Sequence, residues 1–242
     1  MPHVHLVVLA EDFYPYISGG ALTRWRFCKL AADRGHRVTV FTPRERDTSR
    51  RETVEGVEII RPFRSKPPNF DTHAFVSLIT RVLFAGPLLV YLAWWGRGES
   101  IDGVHSASHS LHWVAKLVSG AWTAPLVTMV GYTPSLLGSF RPTPSFLRER
   151  FNFQFCMGEV VFCRTAKIRD LIAASCDADV AVVHGILDAE RIRSVAASVD
   201  ADETREQYDL PTDAPLLAGV GRLVDIKNHE AALELLARGL DN

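Results

Sequence analysis

Apolar runs without alternation recur along the chain, and polar or glycine-rich segments separate them. Residues 3–10 (HVHLVVLA) and 37–42 (RVTVFT) are β-branched runs of this kind, typical of parallel strands covered on both faces. Between these runs, apolar residues recur at three- and four-residue steps from Leu22 to Ala32, which predicts an amphipathic helix that stops at Gly35. Strand, helix and strand therefore predict a right-handed βαβ unit.

The same alternation continues through most of the chain. We predict further strands at residues 57–62, 103–106, 125–130, 160–163 and 180–184. Helices are expected between them, with Ser110 and Thr165 as amino-terminal caps and with an amphipathic helix opening at Ser145. Residues 43–53 (PRERDTSRRET) are predicted to form a polar loop. Parallel αβ repetition of this length predicts an α/β fold with a doubly wound, Rossmann-like sheet.

A second βα unit is predicted near the end of the sequence. Residues 216–220 form an apolar run, Gly221 follows as a tight turn, and a helix is expected over residues 230–238. The stretch before this unit is polar and acidic, which is typical of a boundary. We therefore predict three parts of the chain: a Rossmann-like domain at 1–196, an acidic linker at 197–215, and the beginning of a second domain at 216–242.

Residues 74–95 (AFVSLITRVLFAGPLLVYLAWW) are long and apolar enough to raise the question of a membrane span. Arg81 in the middle and the Gly86-Pro87 pair argue against a simple span and favour a kinked buried or interfacial helix. Basic residues outnumber acids between Leu22 and Lys66. A basic face beside an apolar helix can bind anionic lipid, so an anionic membrane surface is a second expected partner.

Composition and charge narrow the classes of protein to which the chain can belong. The 242 residues are 47% hydrophobic, which suits a large core, and the formal net charge of -1 argues against a general nucleic-acid binder. The four cysteines lack metal-type spacing, so we expect reduced thiols in a cytoplasmic chain, or one peripheral on the inner face of a membrane. His105, His109 and His112 have no metal-binding arrangement, and structural or solvent roles are expected for them.

The loop after the first strand is the first candidate site. Residues 11–20 (EDFYPYISGG) end in Gly19 and Gly20, where backbone amides can approach a ligand closely. Ligands of open α/β sheets bind at this carboxyl edge, although a glycine pair can also make an ordinary turn. Glu11 and Asp12 lie where an acceptor hydroxyl could meet a carboxylate.

Arg222 and Lys227 are the second candidate site. They flank a predicted strand-to-helix turn, where helix amides and basic side chains together favour phosphate. Their spacing alone favours the alternative that they are surface charges, which pair with Asp225 or Glu230.

Four motifs occur in an order that resembles glycosyltransferase family 4, which has the two-Rossmann GT-B architecture. They are FYPYISGG, GHRVTVFTP, GVEIIRP and GVGRLVDIKN. The resemblance implies an amino-terminal domain that holds a glycan or lipid-linked acceptor, a carboxyl-terminal domain that holds a nucleotide-sugar donor, and transfer with retention. It further implies that Gly19 and Gly20 face the donor phosphates, that Gly221 lies at the donor site, and that Arg222 and Lys227 neutralise the leaving diphosphate. No metal and no other cofactor is expected.

Three features of the sequence match the family pattern only in part or depart from it. Residues 184–188 (HGILD) resemble its asparagine-glycine-valine-aspartate element, with His184 in place of the asparagine. Val130 and Gly131 stand where many members carry a histidine. The later glutamate motif of the donor domain does not occur before Asn242, so we expect a fragment that is inactive alone. The alternative is a non-catalytic Rossmann-like half that binds a membrane surface or a partner chain.

Overall fold

A computed structural model describes residues 3–45, 47–64, 74–131, 150–216, 218–221 and 228–240. The chain divides into two compact units, Met1–Leu187 and Asp188–Asn242. The predicted linker at residues 197–215 therefore falls inside the second unit, and part of it forms a helix, Ala201–Gln207.

The first unit contains one eight-stranded sheet. Its strands are β1 His5–Leu9, β2 Arg37–Phe41, β3 Arg51–Val54, β4 Val57–Ile60, β5 Gly103–Ser106, β6 Leu126–Val130, β7 Val160–Cys163 and β8 Asp179–Val182. The order across the sheet is β3-β4-β2-β1-β5-β6-β7-β8, and every neighbouring pair is parallel except β3 with β4. The prediction of a doubly wound, Rossmann-like sheet is confirmed.

Helices alternate with these strands. They are α1 Gly19–Asp33, α2 Ala74–Trp95, α3 His112–Trp122 and α4 Ala166–Ala173 in the first unit, and α5 Ala189–Ser198, α6 Ala201–Gln207 and α7 His229–Leu240 in the second. A π-helical turn, Asn152–Cys156, precedes β7. It lies within the amphipathic helix that the sequence predicted, whose expected start at Ser145 is outside the described residues.

The two faces of the sheet carry different helices. Along β1, Val7 and Leu9 belong to the apolar cluster under α2 and α3, whereas Val8 and Ala10 belong to the cluster that contains Cys28 of α1. Because successive side chains of a strand point to opposite faces, α1 and α2 lie on opposite sides of the sheet. The arginines of α1 therefore lie on the face of the sheet opposite to the apolar helix α2.

Helix α2 has a buried and an exposed side. Leu88 and Leu92 are fully buried against the sheet, whereas Leu83, Val90 and Trp94 are 67%, 71% and 64% exposed. In the described ranges of the chain, no helix has both the length and the apolar character that crossing a bilayer requires.

Strand β3 is a correction to the sequence prediction, which treated residues 43–53 as a loop. Arg51–Val54 pairs antiparallel with β4 through a tight turn. The turn residues Glu55 and Gly56 have φ values of 45° and 79°. Two successive residues with positive φ are the backbone pattern of the two-residue turns that favour β-hairpins, so this turn gives a polar segment a strand conformation.

The predicted strand at residues 216–220 is wrong. Of its residues, Leu216 and residues 218–220 are described, and none of them is in a strand; Val220 is 99% exposed. An apolar run becomes a strand only when a neighbouring strand accepts its hydrogen bonds, and no such neighbour is found here among the described residues. The helix that follows is confirmed as α7.

The two predicted caps differ in outcome. Thr165 caps α4, because its Oγ1 accepts a hydrogen bond from the Ile168 amide at 3.2 Å. Ser110 does not cap α3, because it lies inside a short 3₁₀ turn, His109–Leu111, that leads into the helix.

Candidate active site at the switch point of the sheet

The sheet reverses its winding between β1 and β5, which are neighbours although α1, β2, β3, β4 and α2 lie between them in sequence. After β1 the chain builds outward through β2 and β4, and after β5 it builds the other way through β6, β7 and β8. Because these strands are parallel, the loops that follow them open on one edge. The crevice at such a reversal is where open α/β sheets bind ligands.

A polar network joins the loop after β1 to the start of α1. The Ser18 hydroxyl donates to Asp12 Oδ2 at 2.9 Å and accepts from the Ala21 amide at 3.0 Å, so Ser18 caps the helix. The Arg24 guanidinium pairs with the Asp12 carboxylate, and its Nε donates to the carbonyl of Ala107 at 3.1 Å. Ala107 follows β5, so Arg24 connects the two loops at the switch point.

The predicted glycines stand at the opening of this helix. The first helical hydrogen bond runs from the Leu22 amide to the Ser18 carbonyl, so the amides of Gly19 and Gly20 precede the ladder. A side chain at Gly19 would meet nothing within 4 Å, whereas one at Gly20 would lie 3.0 Å from Arg24 Nη1. The helix start therefore presents bare backbone amides and a positive dipole end to the crevice, as phosphate binding requires.

A buried arginine also donates hydrogen bonds to this loop and to strand β3. Arg61 follows β4, is 1% exposed, and donates to the carbonyl of Tyr14 at 2.6 Å and to Glu52 Oε1 at 2.6 Å. The Tyr14 ring stacks on Trp25 of α1, with ring centroids 4.9 Å apart. These contacts fix the path of the glycine-bearing loop relative to the sheet.

Two further loops reach this edge from β7 and β8. Arg164 follows β7, and its Nη1 lies 2.9 Å from the position that a Cβ on Gly185 would occupy. Arg26 Nη1 donates to the carbonyl of Ile186 at 3.1 Å, which holds the loop after β8 against α1. Burial, and next the charge of Arg24, lower the pKa of Arg164.

The histidines near β5 are part of the core. His112 is fully buried and its Nδ1 lies 2.7 Å from the hydroxyl of Ser106. Burial lowers the pKa of His105 to about 4 and that of His112 to about 3, so both are neutral at pH 7. Neutral buried rings act as polar packing groups here, which agrees with the structural role expected for them.

The predicted site residues are distributed over both units of the chain. Gly19 and Gly20 lie at the switch point, whereas Gly221 belongs to the second unit. Arg222 and Lys227, the predicted diphosphate ligands, lie outside the described residues. Arg24 and Arg164 were not predicted as site residues. The available signal was that Arg24 lies in the helix that begins with the glycine pair and that Arg164 directly follows a buried strand.

Comparisons with known proteins identify the family. The model of the family described as "Glycosyltransferase Family 4" matches residues 17–191 of the chain. A comparison with curated protein sequences gave no match.

Solved structures share the fold. Sucrose-phosphate synthase from Thermosynechococcus elongatus aligns with a TM-score of 0.69 at 12% identity, over 92% of this chain and 57% of its own. The catalytic domain of starch synthase IV from Arabidopsis thaliana, bound to ADP and acarbose, aligns with a TM-score of 0.65 at 14% identity, over 99% of this chain and 67% of its own. Anabaena HepE in complex with UDP-glucose aligns with a TM-score of 0.53 at 11% identity, over 86% of this chain and 50% of its own.

These alignments show the fold of the chain and how much of each solved structure it matches. The chain spans 57% of the sucrose-phosphate synthase structure that it matches. Its architecture is mixed α/β and GT-B-like, as the motif order implied. With the family model matching most of its length, the chain belongs to glycosyltransferase family 4.

Proposed function

We propose that this chain is the acceptor-side part of a retaining glycosyltransferase that moves a sugar from a nucleotide-sugar donor to a glycan or lipid-linked acceptor. The observation that carries the proposal is the open start of α1, where the amides of Gly19 and Gly20 face the switch-point crevice without a side chain above Gly19. Family membership and the UDP-glucose bound to Anabaena HepE support a nucleotide sugar as the donor.

The proposed reaction needs little covalent chemistry from this unit. The bond between the sugar C1 and the diphosphate breaks, the acceptor oxygen bonds to C1 on the same face, and the hydroxyl proton leaves with the diphosphate. Arg222 and Lys227 would neutralise the negative charge that develops on the leaving group. The α1 amides would hold phosphate oxygens of the donor.

Asp12 has a positioning role in this scheme. Its carboxylate already accepts from Ser18 and pairs with Arg24, so its oxygens are engaged in holding the helix start. Glu11, at 8% exposed, is the other carboxylate of the loop, and its backbone amide donates to the Ser108 hydroxyl at 2.9 Å. Both residues fix the loop on which the acceptor and the donor phosphates would meet.

The test is a titration of the isotopically labelled chain with UDP, ADP and GDP, followed by amide resonances. The proposal expects the Gly19 and Gly20 amides to shift with at least one nucleotide. Gly19→Ala should weaken that binding about tenfold, since it places a methyl group between the amides and the phosphate. Gly120→Ala is the matched control, because a side chain at Gly120 also meets nothing within 4 Å. If no nucleotide perturbs the two glycines, the proposal fails.

A second candidate function rests on a different surface. The exposed side of α2, defined by Leu83, Val90 and Trp94, is an apolar stripe on the outside of the helical layer. The sequences of α2, of the 3₁₀ turn Gly96–Gly98 that follows it, and of α3 contain no aspartate or glutamate, while Arg97 adds positive charge. An apolar stripe beside a basic residue favours association with an anionic membrane surface.

Vesicle sedimentation tests the second candidate. The chain should pellet with vesicles of anionic phospholipid at low salt and be released as salt rises, because surface attraction is screened over about 10 Å near 0.1 M. The double variant Val90→Ser with Trp94→Ser should lose this binding. Tyr208→Ser, at a residue 65% exposed in the second unit, is the control. Equal pelleting of all three chains, or none at low salt, would refute membrane association.

A further inference from the structure

Arg164 is a half-buried arginine for which no acidic partner is found among the described residues. Within the ranges that the structure describes, no carboxylate and no hydrogen-bond acceptor contacts its guanidinium. Five other arginines have acidic partners: Arg24 with Asp12, Arg37 with Glu99, Arg51 with Glu58, Arg61 with Glu52 and Arg169 with Asp170. A half-buried guanidinium without a partner is costly unless something else supplies the negative charge.

The surroundings of Arg164 increase that cost. Arg24 is close enough for its charge to lower the pKa of Arg164, after the larger effect of burial. Asp12 offsets one of the two positive charges through its pair with Arg24. Among the described residues, no such pair offsets the charge of Arg164.

The backbone next to Arg164 is shaped to accept its guanidinium. Gly185 is the residue beneath it, and a Cβ there would lie 2.9 Å from Nη1. Arg26 donates a hydrogen bond to the carbonyl of the next residue, Ile186. The glycine thus lets the planar guanidinium lie along the loop after β8, with its donors available to a ligand in the crevice.

Resting on the proposed glycosyltransferase function, we propose that Arg164, assisted by Arg24, binds an oxyanion on the acceptor, a phosphodiester or a carboxylate. The two-pronged donor geometry of arginine matches both groups. The site lies in the unit that the family resemblance assigns to the acceptor, and it makes an anionic acceptor the preferred substrate class.

The experiment titrates the labelled chain with dimethyl phosphate, with acetate and with UDP, following the arginine Nε resonances. Dimethyl phosphate or acetate should shift the Arg164 signal. Arg164→Gln should weaken that binding about tenfold or more, and Arg164→Lys should recover part of it. Arg169→Gln is the control, because Arg169 is also an arginine near the start of α4 but pairs with Asp170 at 2.8 Å on the surface. Circular dichroism of each variant establishes that it is folded.

Two outcomes would overturn the inference. In one, Arg164→Gln binds dimethyl phosphate and acetate as well as the parent chain does. In the other, only UDP shifts Arg164, which would assign the arginine to the donor. The nucleotide titration of Gly19 and Gly20 is an independent readout. If no nucleotide shifts the two glycines but the anions still bind at Arg164, the transferase function fails. The assignment of the site to the acceptor then fails with it, whereas the anion site itself stands.

Discussion

Arg61 donates a hydrogen bond of 2.6 Å to the carbonyl oxygen of Tyr14, which joins the end of β4 to the loop that carries the glycine pair. The same guanidinium pairs with Glu52 of β3 at 2.6 Å. A fully buried charge thus links the hairpin at the sheet edge to the site at the switch point, although 47 residues separate Arg61 from Tyr14 in sequence.

Replacing Arg61 by methionine should destabilise the first unit by about 3 kcal/mol, because it removes one partner of a buried ion pair and leaves the Tyr14 carbonyl unpaired. Urea unfolding followed by tryptophan fluorescence measures the change. Arg51→Met is the matched control: Arg51 also pairs across the hairpin, with Glu58, but its side chain is 67% exposed, and its loss should cost about 1 kcal/mol or less. Equal effects of the two substitutions would contradict the anchoring role of Arg61.

Gly158, between the π-helical turn and β7, should not tolerate a side chain. A Cβ there would overlap the carbonyl of Leu126 in the neighbouring strand β6. Gly158→Ala should therefore destabilise the chain by about 3 kcal/mol, at the upper end of overpacking costs. Gly120→Ala should instead stabilise α3 by about 0.5 kcal/mol, because its position is open and helical. Thermal unfolding of both variants decides the point, and a harmless Gly158→Ala would show that β6 and β7 are not packed as described.

The buried histidines should make stability fall as the pH drops below neutral. The pKa values of His105 and His112, about 4 and about 3 in the folded chain, lie below the ordinary value of 6.5. The unfolded chain therefore takes up protons first. Their contribution is complete above pH 6.5, decreases through the acid range and levels off below the folded pKa values, with a slope of about 1 kcal/mol per pH unit for each histidine.

Urea midpoints between pH 7.5 and pH 5 measure this slope. His112→Phe should reduce it by somewhat less than half, since it removes one of the two strongly shifted rings while His5, whose pKa burial also lowers, continues to contribute. The range stays above the region in which the lowered pKa values of Glu99 and Glu159 matter. A slope that the substitution leaves unchanged would place the proton uptake elsewhere.

The Ser18 cap should matter locally. Ser18→Ala removes the acceptor for the Ala21 amide and the donor to Asp12, and should cost about 1 kcal/mol. Amide hydrogen exchange in the first turn of α1 should accelerate, whereas exchange in α4, capped by Thr165, should not change. Faster exchange throughout the sheet would indicate a global effect rather than a loss of the cap.

The sequence predicts those parts of the fold that depend on local pattern. The unbroken apolar runs of β1 and β2 and the spacing along α1 predict a βαβ unit, and the structure confirms it. The residue pattern does not predict the polar strand β3, because this segment becomes a strand only by pairing with β4. The Glu55-Gly56 turn was nevertheless a usable signal. The run at residues 216–220 is the opposite case, since its apolar pattern is strong but it has no strand partner among the described residues.

The candidate site shows the same division between local and long-range information. Gly19 and Gly20 follow a strand directly, so a local pattern indicates them. Arg24 and Arg164 lie far apart in the chain, and only the folded sheet brings Arg24 close enough for its charge to act on Arg164. Their shared charge environment follows from strand order, which the spacing of residues in the sequence does not specify.

The antiparallel hairpin β3–β4 also determines how one margin of the sheet meets other molecules. A parallel sheet that ended at β4 would offer the backbone of an apolar strand to any extended chain in solution. The outermost strand is instead four residues long, and it carries Arg51 and Glu52. Short, charged outer strands discourage intermolecular pairing, so this hairpin protects the protein from aggregation on that side.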